Sequence, residues 1–90
     1  MVGDVPVFLL EVYVAAVVGA DVEGLVRRAR AAAEGLSTPG RPVRWLQSIL
    51  VPEEETCFLL FEAEASEDVR EVAARAELPP GPISTAVISS

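Results

Sequence analysis

The sequence predicts an α+β domain built as β-α-β-β-α-β, and three observations predict it. Four short runs are rich in Val, Leu, Ile and Phe, two stretches carry apolar residues at helical spacing, and turn-forming segments separate them. Right-handed crossovers fold that order into a four-stranded antiparallel sheet with both helices on one face, the ferredoxin-like arrangement. With 90 residues the chain is read as one domain, 1–90. A fold of this size buries only about 60–65% of the surface its unfolded chain exposes, so its core is thin and a homodimer is expected.

The first strand is read over Pro6 to Val14. Phe8, Leu10, Val12 and Val14 make one unbroken apolar face and Val7, Leu9, Glu11 and Tyr13 the other. Gly19-Ala20-Asp21 offers a helix start with Asp21 as N-cap. Val22, Leu25, Val26, Ala29, Ala33 and Leu36 then recur on one face, and Glu23/Arg27 and Arg30/Glu34 pair on the outer side until the helix ends near Gly35 to Ser37. Thr38 to Pro42 is a turn-rich link whose Pro42 suits the entrance of an edge strand.

Val43 to Val51 is the second strand, with Arg44, Leu46, Ser48 and Leu50 on one side and Val43, Trp45, Gln47 and Ile49 on the other. Pro52-Glu53-Glu54-Glu55 turns the chain into a third strand, Thr56 to Glu64, making a β-hairpin. The wholly apolar face of that strand, Cys57, Leu59, Phe61 and Ala63, belongs to the core, whereas Phe58, Leu60, Glu62 and Glu64 point away. Ser66 is expected to cap a second helix with the stripe Val69, Val72, Ala73 and Ala76. Pro79-Pro80-Gly81-Pro82 stops it, and Ile83 to Ile88 is a last strand.

Composition removes whole classes of chemistry. There is no His and no Lys, and the 7 basic residues, all Arg, face 14 acidic ones, for a net charge of −7. Without imidazole or lysine there is no Ser-His-Asp or Cys-His arrangement and no Schiff base. The single cysteine, Cys57, allows neither an intramolecular disulfide nor a cysteine-type zinc site, and a cytoplasmic location is expected. Neither a signal peptide nor a membrane span is read, because the longest apolar run near the start breaks at Glu11. The third strand lacks the basic and glycine positions of RNA-binding sheets, and the net charge repels phosphate, so nucleic acid is excluded as a partner.

What remains is carboxylate, phenol, guanidinium and thiol on the sheet face that the helices leave open. Glu11, Tyr13, Trp45, Gln47, Phe58 and Glu62 are assigned to that face as ligand-binding candidates, a set too apolar to be left wholly in water. Glu11 and Glu62 sit mid-strand in apolar runs; if near each other they would shift each other's protonation and one would serve as a base. The competing reading pairs each with Arg44 or leaves it solvated. Tyr13 would orient a ligand or donate a proton, although an aromatic on a sheet is more often packing. Cys57 is read as a buried, inert thiol, and Glu53 to Glu55 as a solvated turn.

Val43-Arg44-Trp45-Leu46-Gln47-Ser48, Val51-Pro52-Glu53-Glu54-Glu55, Phe58-Leu59-Leu60-Phe61-Glu62-Ala63, Ser66-Glu67-Asp68-Val69 and Arg75-Ala76-Glu77-Leu78-Pro79, with Phe8-Leu9-Leu10-Glu11-Val12-Tyr13 before them, resemble a family of small bacterial proteins of unassigned function. That family includes a nickel-binding protein of ferredoxin-like fold that forms dimers. The resemblance implies a dimer and, in relatives, a metal. It also implies that Gln47 and Val72 stand where many relatives carry His. Nickel favours imidazole nitrogen, so no metal and no cofactor is assigned to this chain.

Three functions follow as expectations. The first is a dimeric ligand-binding or accessory protein whose sheet face meets a second subunit or a small aromatic ligand. The second is a cofactor-independent oxygenase, cyclase or isomerase of the dimeric α/β-barrel type, with Glu11 or Glu62 as base and Tyr13 or Arg44 steadying negative charge on an aromatic or polyketide-like substrate. The third is the nickel binder that the resemblance implies, disfavoured by the missing His.

Overall fold

The computed structural model describes residues 5–16, 21–79 and 81–89. Its strands and helices run β1 (Val7–Tyr13), α1 (Val22–Leu36), β2 (Val43–Val51), β3 (Thr56–Ala63), α2 (Ser66–Arg75) and β4 (Ile83–Ala86). The sheet order is β2-β3-β1-β4 with every neighbour antiparallel, so β2 and β4 are its edges. This is the predicted β-α-β-β-α-β arrangement.

One side of the sheet is sealed by both helices. Phe8, Leu10 and Val12 of β1 lie opposite Phe61, Leu59 and Cys57 of β3. They form a single cluster with Leu25, Ala29 and Ala33 of α1 and Val69, Val72 and Ala73 of α2. The alternation of each central strand and the 3.6-residue stripe of each helix meet here, which is why the helices share a face. Cys57 is buried in this layer, and burial pushes its thiol pKa up.

Caps and links follow local chemistry. Asp21 caps α1 by accepting from the Gly24 N–H at 2.9 Å. In the link after α1, Thr38 and Arg41 exchange backbone hydrogen bonds. Arg41 then reaches across to α2, where its Nε donates to Asp68 Oδ1 at 2.6 Å. Asp68 is only 2% exposed, and its carboxylate holds the Arg41 pKa above the ordinary value. Gly81 is required by close approach: a Cβ there would collide with the Glu11 carbonyl oxygen, in the same segment where Glu11 N–H donates to the Pro82 carbonyl.

Several expectations need correction. β1 stops at Tyr13 because Val14 enters a 3₁₀ turn, Val14–Ala16, whose first N–H is taken by the Glu55 carbonyl at 2.8 Å. β3 ends at Ala63 rather than Glu64. The N-cap of α2 is Ala65, without a side-chain cap, and Ser66 is already inside the helix. β4 ends at Ala86, leaving Val87 and Ile88 exposed outside the ladder. Gly19 and Ala20, read as part of the helix start, lie outside the described residues.

The largest difference is in β2. Trp45 pairs with Phe61 but Gln47 pairs with Leu60, so the register shifts between them and Leu46 is the extra residue of a bulge. Alternation therefore inverts mid-strand. Val43 and Trp45 face the helices, and Gln47 and Ile49 face the open side.

Candidate functional site

The open face is built from the residues that alternate with the core. Leu9 lies opposite Leu60, Glu11 opposite Phe58 and Val7 opposite Glu62; on β2, Gln47 lies opposite Leu60 and Ile49 opposite Phe58. Partners directly opposite in an antiparallel pair share a face. The centre is therefore apolar: Val7, Leu9, Ile49, Phe58 and Leu60 form a continuous patch, with Leu60 itself buried among its neighbours.

The predicted polar residues sit around this patch and do not converge. Glu62 is held by Arg44, its cross-strand partner, at 3.2 Å. Glu11 belongs to a cross-strand pair four residues further along β1, roughly 14 Å away at about 3.4 Å per residue. The two carboxylates are thus too far apart to share a proton, and the paired-carboxylate arrangement is not formed. Tyr13, at the end of β1, is 55% exposed, and its hydroxyl donates to Glu55 Oε1 at 3.2 Å. That hydrogen bond, and then the charge of Glu55, raise the phenol pKa from its ordinary value. With its O–H already donated to Glu55 and that carboxylate's charge beside it, the phenol is poorly placed to steady developing negative charge.

Trp45 is not on this face. The bulge turns it toward α1, where the Arg30 guanidinium lies 5.4 Å from the indole ring centre. A groove of about 780 Å³ wraps the β2 edge here, lined among others by Arg30, Glu34, Pro42, Arg44, Trp45 and Glu62. Arg30 is paired with Glu34 at 3.5 Å. Three of the predicted site residues, Arg44, Trp45 and Glu62, therefore meet at a groove, while Glu11, Tyr13, Gln47 and Phe58 lie outside its lining. Arg30 and Glu34 were legible only as an exterior helical pair. Nothing in their spacing says that a tryptophan sits beside them.

Fold and site together define a small α+β domain with a sealed helix side, an apolar open sheet face and a polar groove on one edge. No helix among the described residues is long and apolar enough to cross a membrane. The chain belongs to the family described as nickel responsive protein SCO4226-like, whose family model matches residues 14–85. Comparison with curated proteins and with solved structures finds no match.

The family description raises nickel, and the donors of this chain do not fit it. The sequence has no His, and the one thiol is buried beneath the helices. Among the described residues no three His, Cys, Asp or Glu side chains gather to hold an ion. On the open face Glu62 is engaged by Arg44 and the Tyr13 hydroxyl by Glu55. Nickel, which prefers imidazole and thiolate donors, would meet scattered oxygens.

Proposed function

We propose that the protein is a small accessory or ligand-binding protein that works as a homodimer through its open sheet face. The observation that supports this is the patch of Val7, Leu9, Ile49, Phe58 and Leu60, which the chain's own helices do not cover. A second copy is the occupant that fits. The face is apolar at its centre, and Glu11, Tyr13, Arg44 and Glu62 surround that centre as the polar rim of an interface would. The dimers of the resembled family point the same way. The reading assigns no catalytic group; of the two carboxylates that the enzyme alternative offers as its base, Glu62 is paired with Arg44 and Glu11 stands apart from it.

Sedimentation equilibrium at micromolar to hundred-micromolar protein tests this. Wild-type protein is expected at twice the chain mass, and Leu9→Glu, which sets a carboxylate in the middle of the patch, at the chain mass with unchanged circular dichroism. A wild-type monomer across that range, or a Leu9→Glu dimer as tight as wild type, would overturn the reading.

A further inference from the structure

The two edges of the sheet are built differently. β2 carries the devices that keep an edge from pairing with another chain: Pro42 at its entrance, the charge of Arg44, the bulge at Leu46 and Pro52 at its exit. β4 has none of them over Ile83-Ser84-Thr85-Ala86, and among the described residues no strand pairs on its outer side. Leu78 to Ser90 holds no charged side chain, the longest such run in a chain of net charge −7. Val87, just beyond the strand, is 92% exposed, more than any other large apolar side chain among the described residues.

The ladder on β1 decides which backbone groups of β4 are free. On either side of β1 the Pro6 carbonyl accepts from the Ala63 N–H and the Val14 N–H donates to the Glu55 carbonyl, so the even-numbered residues of β1 bond toward β3. Its odd-numbered residues bond toward β4, as the Glu11 N–H does to the Pro82 carbonyl. Leu9 and Val7 are thus the hydrogen-bonded partners of Ser84 and Ala86, and Ile83 and Thr85 turn their N–H and C=O groups outward. Val87 comes next in that alternation. We propose that two copies of the chain pair β4 with β4 in antiparallel, Thr85 opposite Thr85 and Ile83 opposite Val87, joining two four-stranded sheets into one of eight strands. In this register the outward groups of all three residues find partners, Thr meets Thr, and the exposed Val87 gains an apolar neighbour. A second copy is the occupant that fits, because two chains of net charge −7 repel each other less along an uncharged run than elsewhere. The two-fold axis stands perpendicular to the sheet, so both pairs of helices stay on one side and both open faces on the other. The inference is therefore independent of the open-face dimer and compatible with it. Its contact is smaller than the roughly 1,000 Å² of a stable interface, which makes it a second, weaker step, met above about a hundred micromolar.

Amide resonances of the full chain, followed by nuclear magnetic resonance from about 0.05 to 2 mM protein with sedimentation equilibrium alongside, test the pairing. The Ile83, Thr85 and Val87 amides are expected to shift together as concentration rises, those of Ser84 and Ala86 to move far less, and the average mass to climb above twice the chain mass. Thr85→Pro removes an outward N–H and spares the bonds to β1, so it should keep the wild-type circular dichroism and abolish the climb. Val87→Asp, outside the ladder, should weaken it by adding charge to the edge. In Leu9→Glu the same three amides should shift while the mass climbs from the chain mass toward twice that value. Stationary Ile83, Thr85 and Val87 amides up to 2 mM, or wild-type association in Thr85→Pro, would overturn the proposal. Wild-type protein that starts at the chain mass and shifts the same three amides would remove the open-face dimer and leave the β4 pairing standing.

Discussion

β3 carries both surfaces of the molecule on one strand. Cys57, Leu59, Phe61 and Ala63 are each 0% exposed beneath the two helices, and Phe58, Leu60 and Glu62 alternate with them on the open side. The second row also carries two large apolar side chains, Phe58 and Leu60, yet only the first row is covered by the helices. Burial against α1 and α2 fixes the first row in a close-packed layer, where each methylene contributes. The second row contributes little until another surface arrives. A strand pattern thus states which residues are apolar, and the helices decide which of them are core.

Two phenylalanines three positions apart test that contrast at fixed chemistry. Phe61→Ala is expected to destabilise by about 3–5 kcal/mol, the range for emptying a buried aromatic site, in urea unfolding followed by circular dichroism. Phe58→Ala, at a side chain only partly buried on the open face, should cost less than about 1.5 kcal/mol at low micromolar protein, and the cost should rise with concentration if the proposed dimer covers it. Equal losses at every concentration would break the comparison.

Asp68→Asn probes how the helix side is closed at its margin. Arg41 is half exposed and Asp68 buried, so the substitution removes a charge-assisted hydrogen bond without stranding the arginine in the interior. A loss of about 1–3 kcal/mol is expected. Oligomeric state should not change, since the pair lies on the helix side. A variant with wild-type unfolding would show that the α1 to β2 link is held by its backbone turn alone.

The helix side was legible because alternation and helical period are properties of the sequence itself: Phe8, Leu10 and Val12, Cys57, Leu59 and Phe61, and the stripes of both helices all lie where their spacing puts them. The site was legible only in pieces. Strict alternation assigns Trp45 and Gln47 to one face, and a single extra residue at Leu46 separates them. A bulge leaves no mark in a run such as Trp45-Leu46-Gln47-Ser48, where every residue suits either side. Register was the other hidden quantity. Glu11 and Glu62 both read as mid-strand carboxylates, and only the pairing of Glu11 with Phe58 shows how far apart they lie.

The smallest effect expected belongs to the open side, and its sign follows from one hydrogen bond. Tyr13 is the only tyrosine, and Glu55 raises its pKa by accepting the phenol hydrogen and by its own charge. Raising the pKa of an acid in the folded state stabilises the protonated fold. The contribution is complete below the ordinary value of 10.0 and is lost as pH rises through the folded value. Ultraviolet titration of the tyrosinate should therefore give a midpoint above 10.0, and Glu55→Gln should bring it back toward that value. Because the ring is exposed, solvent screens the pair and the global unfolding midpoint at neutral pH should barely move. A midpoint unchanged by Glu55→Gln would mean that this end of β1 is held by the Val14 backbone bond to the Glu55 carbonyl and owes nothing to the phenol.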